Sequence, residues 1–506
     1  MMPEHTSEAK PIVWTIASSD CGGGAGIQAD LHTFAALGCH GCSVIAAVTA
    51  QNSIEVVGYE SVSPALFVTQ LNCLLQDMPP KAIKIGLIPD VTLLEQLAAW
   101  LTQHKAQHQF VVIADPVLSS SSGYQFARQS QLCIWRQQLL PLVDLLTPNL
   151  PELALLSTMP TPNDEMQAAQ LRQFGCAAVL IKGGHATDQA DSCDHYLGVD
   201  QQFSLSLPRL CNTHNHGTGC VLSSAIAAAC AQGYALADSV IIARAYLQQA
   251  LANGYATGNG AGSLQHHSWP VTPSYWPLLT CDNEQFAGAT QPDNLSFAGM
   301  TTPIGLYPVV DSVAWLKRLL PLEPDVVQLR IKQGSAADIE RQIAEAVLLS
   351  RDYKLRLFIN DYWQLAIKYG AYGVHLGQQD LASANLAAIA AAGLRLGIST
   401  HNYTELTRAR QIRPSYIALG HIFTTQTKQM PSKPQGLVRL KYYAALCRDI
   451  PTVAIGGIDA TRLDEVLACG VTGVAVVSAI TAQQQPEQAF LTLKQRVEQH
   501  YAHQIK

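Results

Sequence analysis

Leu306-Tyr-Pro-Val-Val310, then Val326-Val-Gln-Leu329, begin a rhythm that can be counted to the end of the chain. Each run is apolar, rich in branched side chains and too short for a helix. Similar runs recur at 355–359, 373–376, 395–398, 416–419, 452–455 and 473–477, and each is followed by helical spacing, as at 339–349 and 463–468. Eight strand–helix units in about two hundred residues predict a closed (β/α)8 TIM barrel.

The N-terminal half has a different rhythm. Strand-like runs at 12–17, 43–48, 83–85, 110–114 and 179–181 alternate with helical stretches at 27–37, 66–75 and 93–101. This predicts a three-layer α/β/α domain with helices on both faces of a mostly parallel sheet. Two stretches, 195–199 and 203–207, alternate like an edge hairpin. From 281 to 302 the chain turns to Asp, Asn, Gln, Gly, Ala and Thr without periodicity, which is linker chemistry. The expected organisation is a domain at 1–275, a linker at 276–302 and a barrel domain at 303–506.

With 506 residues, two cores are the default. Apolar residues make up 48% and charged residues 14%, which suits buried parallel sheets and excludes disorder. The net charge of −6, with no basic run, argues against a nucleic-acid surface. No apolar stretch reads as a signal or a membrane span, so a cytoplasmic protein is expected. Whether it forms a homo-oligomer stays open. The 13 cysteines are scattered, and the one C-x-x-C pair, Cys39 and Cys42, reads as incidental.

His216-Gly-Thr-Gly-Cys220 precedes an alanine-rich helix former, so the turn offers free N–H groups at a helix N-terminus. That is an anion cradle, and Cys220 sits where such a cradle can depress a thiol pKa. Upstream lies Ser18-Ser-Asp-Cys-Gly-Gly-Gly-Ala-Gly-Ile-Gln-Ala-Asp30, followed by Thr49-Ala-Gln-Asn52, Lys84-Ile-Gly-Leu87, Asp115-Pro-Val117, Thr147-Pro-Asn-Leu-Pro-Glu152 and Ile181-Lys-Gly-Gly-His185. Polar groups after successive strands converge at the carboxyl edge of an open sheet. Asp115 and Glu152 can orient magnesium directly or through waters; strand-end capping is the alternative for both.

In this ordered set, residues from about 11 to 270 resemble the hydroxymethylpyrimidine/phosphomethylpyrimidine kinase family of the ribokinase-like fold, which serves thiamine biosynthesis. The resemblance implies that Asp30 and Gln51 hold the aminopyrimidine and that Lys182 reaches the ATP phosphates. It also implies that Gly217, Thr218 and Gly219 cradle the transferring charge and that Cys220 is the base facing the substrate hydroxyl. Four places depart from the family pattern: Leu87 for Met, Cys21 for Ser or Pro, Asn215 for Thr, and Ser263 for Pro.

The barrel half carries its own polar set at strand ends. Gln328, Arg330 and Lys332 fall on one face by the two-residue period and suggest a phosphate clamp. Asp361 and Asp380, from adjacent strand ends, can share one Mg2+. Gly397-Ile-Ser399, Thr424-Thr-Gln-Thr-Lys428, Gly456-Gly457 and Val477-Ser478 complete the rim. Core packing is the preferred reading for His375 and His421. Residues from about 303 to 500 are similar to thiamine-phosphate synthase, through Q-L-R-x-K, I-N-D, V-H-L-G-Q-x-D, G-I-S, T-x-T-K and I-G-G-I. The resemblance implies that Gln328, Arg330, Lys332, Asn360, Ser399, Thr425, Gln426, Thr427 and Lys428 bind a pyrimidine diphosphate. Asp361 and Asp380 would hold magnesium, and Gly457, Val477 and Ser478 would take a thiazole phosphate. Thr424 stands where the family commonly has Pro.

Together the halves imply one polypeptide making thiamine phosphate from hydroxymethylpyrimidine, ATP and thiazole phosphate. Two other readings compete: a pyridoxal-type kinase in the first half, and a metabolite sensor with one degenerate domain.

Overall fold

The computed structural model describes residues 9–119, 126, 128–161, 163–184, 190–281, 295–425 and 433–504. The chain forms two compact units that divide near residues 270–283.

The first unit holds a ten-stranded sheet of β1 (Ile12–Asp20), β2 (His40–Gln51), β3 (Val56–Ser61), β4 (Ala82–Ile85), β5 (Val111–Ala114), β6 (Leu145–Leu146), β7 (Ala178–Ile181), β8 (Asp191–Leu197), β9 (Gln202–Pro208) and β10 (Leu278–Thr280). Its order is β10-β9-β8-β7-β6-β5-β4-β1-β2-β3. The centre from β7 to β2 is parallel, and both margins are antiparallel. The expected hairpin is β8–β9. β3, β6 and β10 were not anticipated. β2 also runs beyond 48, so Thr49 and Gln51 lie inside the strand rather than after it.

The two-residue period sorts the sheet's faces. Trp14, Ile16, Ile83 and Ile85 join Phe67, Leu97 and Trp100 in one apolar layer. Thr15 and Lys84 point the other way, towards the helices Gly26–Ala36 and Thr218–Ala231, where both bond Asp30.

The second unit is a closed barrel of eight parallel strands: β11 (Gly305–Val310), β12 (Val326–Leu329), β13 (Arg356–Asn360), β14 (Gly373–Leu376), β15 (Arg395–Thr400), β16 (Tyr416–Gly420), β17 (Thr452–Ile455) and β18 (Gly473–Val476), with β18 pairing back to β11. Its interior fills by pairing rings with glycines. Phe358 is in register with Gly373 and Tyr416 with Gly397, and a side chain on either glycine would run into the facing ring. Large and small residues thus alternate around the layer.

The linker expected at 276–302 is shorter at both ends. Leu278–Thr280 pairs with β9 and buries Leu279. The carbonyls of Ala298, Gly299 and Thr301 accept from Ser415, Arg395 and Arg356 at the strand starts of the barrel. Both docked pieces are too short to show periodicity, so their composition dominated the reading.

Candidate active sites

In the first unit a cleft of about 490 Å3 opens at the carboxyl ends of the parallel strands. The glycine-rich loop after β1 is organised by Asp20, which accepts from the N–H groups of Gly22, Gly24 and Ala25 and from His216 Nε2. Burial alone would raise the Asp20 carboxyl, but His216 and the backbone donors hold it below the ordinary range. His216 also meets Gln51 Nε2 at 3.4 Å. Gly217 takes φ +83, and a Cβ there would run into the Gly24 carbonyl, so the two glycine turns dock on each other. The sequence reading gave Asp20 and His216 no role. The signal was present in the motif, but the loop's internal bonding becomes visible only once the loop closes.

Gly217 is the N-cap of the helix Thr218–Ala231, whose first N–H groups have no intrahelical acceptor. Beside that turn Lys182 Nζ lies 2.7 Å from Asp115 Oδ1 and 3.7 Å from Glu152 Oε2. A Cβ on Gly219 would sit 3.0 Å from Asp115 Oδ2 and 3.4 Å from Lys182 Nζ. Strand ends after β5, β6 and β7 therefore bring Asp115, Glu152 and Lys182 together at the cradle. Burial works against the Lys182 charge, but Asp115 and Glu152 outweigh it and hold the ammonium above its ordinary value. Burial raises the Glu152 carboxyl, with Lys182 opposing. Glu152 also forms a capping box with Asn149, so capping and charge pairing coincide in one residue.

Two expectations for this site are corrected. Asp30 does not face the cleft. It is wholly buried, paired with Lys84 at 2.8 Å and bonded by Thr15 and Ser224. The helical period turns it onto the sheet, where the Lys84 charge requires it. Cys220 lines the cleft, but its thiol is not depressed: burial pushes it up to about 11, with Lys84 and the Gly26 N–H only opposing. Cys39 and Cys42 are buried free thiols. His185 lies outside the described residues.

In the barrel the polar set again gathers at the carboxyl ends of the strands. Asp361 follows β13 at φ +65, a left-handed turn that aspartate tolerates, and pairs with Lys332. Asp380, after β14, faces it: burial and the hydrogen-bonded Asp361 carboxyl hold Asp380 above its ordinary value. Two acidic groups pressed together beside an orphan donor, the buried Asn360 Nδ2, fit a divalent cation with an anionic ligand. Arg330 lies close enough to act on His375 electrostatically.

Around the rim, a Cβ on Gly457, at φ +64, would run into the Thr424 carbonyl, so the loop that carries Thr425 lies at the end of β17. Val477 and Ser478 follow β18, the neighbouring strand. Gln426, Thr427 and Lys428 lie outside the described residues. Gln328 departs from its expected role: it is buried inside the barrel, beside the phenols of Tyr307 and Tyr416. Strand alternation put it on the inner face, but one layer below the rim. His375 is buried between Tyr416 and Ser399, and burial pushes it down to about 4. His421 is buried, with Nδ1 unpartnered among the described residues.

Among the described residues no helix is long and apolar enough to cross a membrane, and no group of three or more His, Cys, Asp or Glu side chains gathers as metal ligands.

A family model for phosphomethylpyrimidine kinase matches residues 20–265, and one for thiamine monophosphate synthase matches residues 306–480. Thiamine-phosphate synthase of Proteus mirabilis (strain HI4320) is 57% identical over 205 residues, 40% of this chain and 95% of that protein. The Serratia proteamaculans (strain 568) thiamine-phosphate synthase is 60% identical over 195 residues, 38% of this chain and 92% of that protein. Among solved structures, a phosphomethylpyrimidine kinase from Clostridium difficile 630 is 30% identical, covering 47% of this chain and all of that one, with a TM-score of 0.40. A pyridoxal kinase from Staphylococcus aureus, in complex with AMP-PCP and pyridoxal, is 28% identical, covering 52% and 95%, with a TM-score of 0.46. The chain belongs to the phosphomethylpyrimidine kinase family over its first half and to the thiamine-phosphate synthase family over its second, and is a bifunctional transferase of thiamine biosynthesis.

Proposed function

We propose that the first unit transfers phosphate from ATP twice, first to the hydroxyl of 4-amino-5-hydroxymethyl-2-methylpyrimidine and then to the resulting monophosphate. The barrel then joins the diphosphate to 4-methyl-5-(2-phosphoethyl)thiazole, giving thiamine phosphate and pyrophosphate. The observation that carries this reading is Lys182 held between Asp115 and Glu152 against the first turn of the helix Thr218–Ala231. Phosphoryl transfer demands positioned charge more than covalent chemistry. Lys182 supplies a mobile cation, and the Gly217–Gly219 turn supplies fixed dipoles where charge builds up.

Asp115 and Glu152 in the kinase cleft, and Asp361 and Asp380 in the barrel, are the residues that would hold Mg2+. Bound there, the ion neutralises phosphate oxygens. In the barrel, Arg330, Lys332 and Asn360 would receive the departing pyrophosphate. Its loss leaves a methylene cation that the aminopyrimidine ring delocalises, and the thiazole nitrogen then attacks that carbon. No protein nucleophile takes part. Gly457, Val477 and Ser478 would hold the thiazole phosphate. We place the protein in the cytoplasm, as an enzyme of small-molecule substrates.

The test is one incubation of purified protein with ATP, Mg2+, hydroxymethylpyrimidine and thiazole phosphate, read by mass for thiamine phosphate, with pyridoxal turnover measured alongside. Absence of thiamine phosphate would refute the reading. Faster turnover of pyridoxal would move the first half to the competing kinase class.

A further inference from the structure

The turn that carries Lys182 is held by a closed circuit of side chains. Lys182 follows β7, and its own N–H donates to the Pro148 carbonyl at 2.9 Å. The next N–H, on Gly183, donates to Asp194 Oδ1 of β8 at 2.8 Å. A Cβ on Gly183 would lie 1.8 Å from the Cys193 carbonyl oxygen, so the turn packs on β8 at a distance only glycine allows. Arg209, just past β9, donates to the Gly183 and Gly184 carbonyls at 3.1 and 3.0 Å.

Asp194 is itself held. Its Oδ2 lies 2.7 Å from Arg244 Nε on the helix Leu236–Ala252, and both side chains are buried. The contact is ionic, since Nε has no hydrogen-bond acceptor among the described residues. One turn on, Arg244 Nη1 donates to Gln248 Oε1 at 3.2 Å. Gln248 Nε2 then donates to the carbonyl of Pro208, the residue before Arg209, at 3.0 Å, which closes the circuit. Chemistry fixes every direction in it. Guanidinium and backbone N–H groups only donate, carboxylate and carbonyl oxygens only accept, and the Gln248 amide between them can face one way.

We propose that Asp194 is a positioning residue of the kinase. It fixes the backbone after Lys182, and so the place where the Lys182 ammonium meets the transferring phosphate, while Arg244 balances its buried charge. The inference rests on the reading that Lys182 serves phosphoryl transfer. A lysine charge rides on a flexible stem, so its place is only as defined as the stem's two ends. Asp115 and Glu152 hold the ammonium, and Pro148 and Asp194 hold the backbone. Once a phosphate competes for the ammonium, the backbone end carries the placement.

Kinase kinetics on the full-length protein test it, in an Arg244→Met background that removes the partner charge. There Asp194→Asn keeps an oxygen for the Gly183 N–H, and Asp194→Leu, of similar shape, does not. The Asp194→Leu kcat should fall about tenfold below that of Asp194→Asn, with KM for ATP unchanged, as for an interaction made in the transition state. Equal kcat values, or a loss seen only in KM, would overturn the proposal. Gly183→Ala, which cannot keep its contact with β8, should lower kcat in the same way with Asp194 and Arg244 intact; an unaltered kcat there also overturns it. Adding Lys182→Ala should abolish the difference between the two Asp194 variants, because both act through Lys182. A difference that persists means Asp194 serves the fold and not Lys182, and the proposal fails. If Lys182→Ala alone leaves kcat unchanged, the reading of Lys182 is what fails, and the proposal falls with it.

Discussion

Lys84 Nζ lies 2.8 Å from Asp30 Oδ2, and neither side chain has any exposure to solvent. Thr15 and Ser224 complete the carboxylate's bonding at 2.5 and 2.6 Å. This cluster joins β1, β4 and two helices beneath the cleft. Removing one member of a buried ion pair strands the other charge, whereas removing both does not. Lys84→Met should therefore cost about 3–5 kcal/mol in urea unfolding of the first unit. Asp30→Leu combined with Lys84→Met should recover most of that loss. A double variant as unstable as the single one would contradict the account.

The same pair shows where sequence reading runs out. Asp20 and Asp30 share one motif, and nothing local says which of them meets a ligand. The deciding fact is the parity of Lys84 in a four-residue strand, all of which is buried. The barrel strands were legible because each is a short apolar run between polar turns. Leu278–Thr280 was not, since three residues with one buried side chain carry no period. Asp361 and Asp380 were legible as strand-end carboxylates. Gln328 lies on the inner face as expected, but its depth, and so its partners, depends on how far the barrel's layers rise.

Lys182 sits 15% exposed at the edge of the cleft, between two acidic partners. It is the one cation at that point among the site residues assigned here. Lys182→Ala should lower the kinase kcat by about a hundredfold or more, the scale of losing one preorganised charge contact. Thiamine phosphate formation from supplied pyrimidine diphosphate should stay at the level of the unaltered protein, because the barrel carries its own site. A parallel fall in both activities would argue against separate sites.

Cys220 is a neutral thiol at physiological pH, since burial pushes it up to about 11. Its alkylation by iodoacetamide, followed on the Cys220 peptide by mass, should therefore rise about tenfold per pH unit up to about pH 10. A plateau near pH 8 would show a depressed thiol instead. A neutral thiol cannot take up the hydroxyl proton, so Cys220→Ala should slow the first and second phosphorylations by equal factors. A loss confined to the first transfer would return Cys220 to the role of base.

Asp380 is held above the ordinary aspartate range by burial and by the facing Asp361 carboxyl. The sign of the pH effect follows directly. A raised carboxyl takes up its proton earlier as pH falls, and a protonated Asp380 is a poorer cation ligand. Mg2+ binding to the full-length protein should therefore weaken on the acid side from a higher pH than an ordinary aspartate would give. EDTA should abolish thiamine phosphate formation, and added Mg2+ should restore it. Asp361→Asn removes the facing charge, so the acid-side onset should move to lower pH while more Mg2+ is needed at every pH. Titration calorimetry across pH 4 to 8 separates the two effects. An onset that stays put in Asp361→Asn would mean that burial alone, and not the facing carboxyl, raises Asp380.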